Sequence, residues 1–199
     1  MYGNSDSSRS NSVSLPDLKA AASAVAQRGS VFYRTLGPQE ESDWLDSVLD
    51  LIWSAADGQD VDEECLEVLE ELGEESQADE FDSSHPEFFA ARSLELIGNA
   101  LSVAVRPDPK RVDQSYIALR ELLSIVDYRL GGSEPVITRY GDPPPPLGPL
   151  ETREIEAENA VMEELSRSTD RTVTIGRIRE KSSRFSSDLA LPVSDCCGE

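Results

Sequence analysis

Residues 35–91 contain no lysine or arginine, and this gap constrains the fold more than any other feature of the chain. Arg34 and Arg92 bound it. Of the 39 acidic residues, 19 lie inside it, which leaves 20 against 18 basic residues elsewhere. A block of like charge repels itself, and a purely acidic segment stays extended and solvated. Here the acids alternate with apolar residues at helical spacing. The charge can therefore ride on the outside of packed helices.

Residues 42–57 show that spacing best. At about 100° per residue, Trp44, Leu45, Val48, Leu49, Leu51, Ile52, Trp53, Ala55 and Ala56 share one broad arc, and Asp43, Asp46, Asp50 and Asp57 fill the remainder. Residues 60–72 repeat the arrangement, with Val61, Cys65, Val68, Leu69 and Leu72 backed by Glu63, Glu64, Glu67, Glu70 and Glu71. Gly58 and Gly73 punctuate the two helices. The run from Ala56 to Glu64 superficially matches a calcium loop. With Gly58 in the sixth position, however, Trp53 falls where the first aspartate must be, and the register excludes an EF-hand. The glutamates face away from the apolar stripe, so a metal centre inside a bundle is not expected from them, and neither is a cofactor.

The rest of the chain reads as helix and linker. Ser14-Leu15-Pro16-Asp17 is a capping box that opens a helix, with Gly29 as its stop. Val31 to Leu36 then reads as extended, ending at Gly37-Pro38. Ser84-His85-Pro86-Glu87 opens a helix to Val105 that is apolar nearly all round, the pattern of a central helix. A fifth helix spans Asp113 to Leu130 before Gly131-Gly132. Residues 133–150 form a Pro-rich linker, with Val136 to Tyr140 as a candidate edge strand. Residues 151–166 read as helical, Arg171 to Lys181 alternates weakly, and both ends are Ser-rich. The expected fold is mainly α: a bundle of about five helices over 14–132, a disordered tail over 1–13 and a C-terminal arm over 151–185. That arm carries one helix and at most a short strand, and a disordered tail follows over 186–199.

Net charge restricts the partners. A chain at formal charge −21 does not bind nucleic acid or anionic membranes passively, because both are negative. It favours a basic protein surface, although acidity with 15 Arg to 3 Lys also suits a salt-adapted cytoplasm. Three cysteines without framework spacing and an N-terminus without an apolar core make a soluble cytoplasmic protein the default expectation. Catalytic groups are sparse: His85 is the sole histidine and sits in a helix-start motif, far in sequence from Cys65. No phosphate-binding glycine pattern or nucleophile elbow is present.

The candidate contact residues are therefore surface groups. Trp44 and Trp53 bracket the acidic helix as aromatic anchors, against the plainer reading that both belong to the core. Asp46, Asp50, Glu63, Glu67 and Glu70 form the acidic contact. Arg177, Arg179 and Arg184 lie in a locally basic arm expected to fold back on those acids, in the same chain or in a second copy. Arg-x-x-Ser spacings ending at Ser12, Ser182 and Ser187 suit a basophilic kinase. These features point to a non-catalytic adaptor, assembly factor or regulatory protein that presents an acidic helical face to a basic partner. The alternatives are an acidic nucleic-acid mimic that inhibits a DNA- or RNA-binding protein, and an enzyme or metal protein whose site spacing does not reveal.

Overall fold

The computed structural model describes residues 14–75, 82–132 and 146–197. Among them are seven α-helices and no strand: α1 (Leu15–Leu36), α2 (Ser42–Ala56), α3 (Asp62–Glu75), α4 (Pro86–Val105), α5 (Pro109–Gly131), α6 (Pro149–Ser166) and α7 (Arg171–Cys197). A single 3-10 turn, Gln39–Glu41, joins α1 to α2. The mainly helical class holds, with seven helices in place of about five plus one. The expected N-terminal disorder over 1–13 and the strand at 136–140 lie outside the described residues.

The central helix is α1, which α2, α4, α5, α6 and α7 all contact. Every residue from Ala20 to Tyr33 is buried. This corrects the expectation that α4 sits at the centre. Apolarity singled out α4, but small side chains decide which helix can be approached from all sides, and α1 carries the alanine run from Ala20 to Ala26. Gly29 does not stop the helix. A Cβ there would lie 2.4 Å from Leu96 Cδ1, so the glycine is the point where α1 and α4 press together. The Ser93 hydroxyl donates to the Gly29 carbonyl at 2.9 Å across the same contact. Val31 to Leu36 is accordingly helix, with Phe32 stacked on Phe89 at 5.7 Å. The real stop is Gly37, whose amide bonds the Tyr33 carbonyl at 2.8 Å ahead of Pro38.

The C-terminal arm is two helices docked on the bundle, and the disordered tail expected from residue 186 is replaced by helix through Cys197. Ile175, Ile178, Phe185, Leu189 and Val193 are buried at helical spacing, and buried Ser182 and Ser186 sit among them. Serine-rich composition masked this stripe, because small hydroxyl residues can line a tight helix interface as well as a solvated tail. The α7 start is capped by Asp170, which accepts from the Val173 amide at 3.2 Å. Its end is held by Arg129 of α5, which donates to the Cys196 carbonyl at 2.9 Å and lies 4.9 Å from the Phe89 ring centroid. A cation at a helix C-terminus satisfies orphan carbonyls and the helix dipole together. Pro86–Val105 has the length and apolar composition of a membrane-crossing segment, with mean hydropathy 1.3, yet half of that window is buried within the bundle.

Helix starts follow capping chemistry, with two departures from the sequence motifs. Ser14 accepts from the Asp17 amide at 3.4 Å, as the capping box requires. Ser84 does not cap α4; it bonds back to Asp82, and His85 occupies the cap position without a side-chain bond. At α6 the cap residue is Gly148, which has no side chain to offer. Asp127 of α5 supplies the carboxylate instead, accepting from the amides of Leu150 and Glu151 at 3.0 Å. Asp127 Oδ2 lies 2.1 Å from where a Gly148 Cβ would stand, so only glycine leaves room for this cap.

Candidate functional site

The acidic surface divides into a neutralised part and an open part. On α2, Asp46 pairs with Arg34 of α1, and Asp50 pairs with Arg179 of α7. Asp57 accepts from the Thr172 hydroxyl at 3.0 Å, and Arg171 pairs with Asp17 at 2.6 Å. The arm thus reaches the acids of α2. On α3 the situation differs: Glu63, Glu67, Glu70 and Glu71 are exposed, and no cation pairs with them among the described residues. Leu66 is 48% exposed in the middle of this row.

The three arginines singled out in the arm go to three places. Only Arg179 meets an acid of the first helices. Arg177 stands 3.9 Å from Glu164 of α6, a carboxylate that also pairs with Lys181. Arg184 pairs with Glu180 one turn earlier on its own helix. The tryptophans also part company. Trp53 is 2% exposed, and its indole donates to Gln27 Oε1 at 3.1 Å inside the core. The plainer core reading holds for it in place of the exposed anchor, because it lies in one buried apolar cluster with Ala20 and Ala24 of α1, Val161 of α6 and Ile175 of α7. Trp44 remains half-buried, with its ring 6.1 Å from that of Tyr33.

A second candidate lies between α6 and α7, and spacing gave no sign of it. It is a cavity of about 400 Å³ whose wall includes Arg28, Arg153, Val161, Ile178, Lys181 and Phe185. At its edge the Arg28 guanidinium forms a double hydrogen bond with Glu154, at 2.8 and 2.6 Å, and both side chains are essentially sealed from solvent. Burial disfavours the charge on Arg28, but Glu154 outweighs it and holds the guanidinium pKa above its usual value. Among the described residues, Arg28 Nη1 and the nearby Tyr116 hydroxyl find no hydrogen-bond partner. Burial also raises the Tyr116 phenol pKa, against the opposing pull of Arg28. Residues 126 apart in sequence offer no local signal that they will pair.

Among the charges that line the cavity, Arg28 is matched by Glu154, Arg153 by Asp188 and Lys181 by Glu164. Burial pushes the Cys65 thiol up to about 11, helped by the Asp62 carboxylate. Burial and the neighbouring Cys196 thiol push Cys197 up to about 12, so both are poor nucleophiles near neutrality. Among the described residues, no group of three His, Cys, Asp or Glu side chains could hold a metal ion. Ser182 of the Arg-x-x-Ser spacings is buried in α7, whereas Ser187 is exposed. Comparison with known proteins gives no match to a family model, to a curated sequence or to a solved structure.

Proposed function

We propose that this is a non-catalytic interaction protein that presents the outward face of α3 to a basic surface on a protein partner. The observation that carries the reading is the division of the acidic surface. Asp46 and Asp50 of α2 already have partners within the chain, and Glu63, Glu67, Glu70 and Glu71 of α3 have none among the described residues. An unneutralised row of like charge on a rigid helix destabilises the isolated protein slightly and is relieved when a cationic surface docks. Exposed Leu66 supplies apolar contact within that row, and half-buried Trp44 of α2 is the remaining aromatic candidate.

The test is affinity capture at low and high salt with quantitative identification of bound proteins, comparing the native chain with Glu63→Gln/Glu67→Gln/Glu70→Gln. The variant should keep its thermal stability, since these side chains make no ion pair among the described residues, and lose the salt-sensitive partners. Retention of the same partners by the variant would remove the acidic face from consideration. A captured set consisting of nucleic-acid-binding proteins would assign the face to mimicry of a phosphate backbone.

A further inference from the structure

A groove of about 370 Å³ runs between α3 and α4 beside the acidic row. Leu69, Leu72 and Gly73 form one wall, and Ala91, Leu94 and Gly98 form the other. The two glycines keep it open. Nothing lies within 4 Å of a Cβ built on Gly73, and a Cβ on Gly98 meets only Leu72 Cδ1 at 3.9 Å. Neither glycine has a positive φ, so neither is demanded by the backbone, and each costs helix stability relative to alanine.

The order of residues around α3 joins this groove to the charge. At about 100° per residue, the surface runs Leu72, Leu69, Gly73, Leu66, Glu70, Glu63, Glu67. The apolar wall thus passes through exposed Leu66 directly into the glutamates without a cation. The opposite rim is polar and already satisfied, with Glu95 paired to Arg92 and Arg111 bonded to Asn99 at 3.3 Å.

We infer that the α3–α4 groove receives an amphipathic basic helix of a partner protein, its apolar stripe seated on Leu69 and Leu94 and its Lys/Arg flank against Glu63, Glu67 and Glu70. This rests on the acidic-face reading above and specifies the kind of partner. Charge selects the occupant: a second copy of this chain brings a formal −21 against the same row, and a cationic helix brings the opposite sign. Helix-in-groove recognition reads anchors at helical spacing, which matches a slot formed between two neighbouring helices.

The probe is a synthetic Leu/Lys amphipathic peptide of about five helical turns, compared with a scrambled peptide of identical composition. Binding is read by fluorescence anisotropy and helix gain by circular dichroism. The amphipathic peptide should bind with gain of helix and the scrambled one should bind more weakly. Gly98→Leu and Gly73→Leu fill the groove without leaving the helix, and each should weaken the amphipathic peptide by about ten-fold, ~1.4 kcal/mol. Neither should lower thermal stability, because each removes a helix glycine. If both fillings leave affinity unchanged while Glu63→Gln/Glu67→Gln/Glu70→Gln lowers it, the groove is overturned and the acidic face stands. If the charge variant is also unchanged, both readings fall. Concentration-dependent self-association, abolished by the fillings, would overturn the proposal in favour of a second copy.

Discussion

Arg28 and Glu154 form the most consequential residue pair in the molecule. Both charges have left water, and the double hydrogen bond offsets that cost only while both are present. Glu154→Ala strands a buried guanidinium and should destabilise by roughly 3–5 kcal/mol in denaturant titration. Replacing the pair together, Arg28→Met with Glu154→Leu, should recover most of that loss, because no charge then remains buried. The cysteines make a second residue-scale prediction. Their thiols keep protons longer in the fold than in the unfolded chain, Cys65 to about 11 and Cys197 to about 12, from an ordinary value near 9. Above about pH 9 the unfolded state therefore loses protons first and gains ground as pH rises. Stability is intact below that pH and declines toward pH 11. The denaturation midpoint should fall across this window, and Cys65→Ala should flatten the slope even though it lowers the midpoint at neutral pH. His85, in contrast, was legible in the sequence as a residue at a helix start, and it occupies that position exposed.

At the scale of elements, the helices that local signals define best are those that periodicity and punctuation mark together. Helix α2 ends within a residue of its expected stop, and α4 ends at Val105 before Arg106-Pro107, where a proline forbids continuation. Signals failed where a residue type has two uses. Gly29 reads as a stop, yet it serves as a contact point against Leu96. The serines of α7 read as disorder, yet Ser182 and Ser186 are packed. The start of α6 depends on Asp127, which belongs to another helix, so no local motif could announce it. Asp127→Ala should cost about 1 kcal/mol, the usual value of a lost N-cap. It should also speed amide exchange at Leu150 and Glu151 more than in the middle of α6. Equal exchange throughout α6 would show that the cap does not hold that end.

Across the whole molecule, the arm is held by apolar burial more than by charge. Ile178, Phe185, Leu189 and Val193 are each buried on α7, and full burial of such a side chain is worth about 1.5–3 kcal/mol. Exposed ion pairs such as Arg179 with Asp50 are worth roughly 0–1 kcal/mol and fade with salt. High salt should therefore leave α7 protected in hydrogen exchange, while deletion of residues 149–199 should expose α1, lower the melting temperature and create dye-binding apolar surface. Release of α7 by salt alone would show that charge dominates the docking. Helical class, most helix limits between residues 42 and 131, and the placement of acids on helix backs are set by the sequence alone. They depend on periodicity, caps and prolines, which act over a turn or two. The central position of α1, the helicity of α7, the Arg28–Glu154 pair and the open groove beside the glutamates of α3 were decided only in three dimensions. In each case the outcome depends on what stands opposite a small, polar or missing side chain, and chain-local spacing carries no record of that.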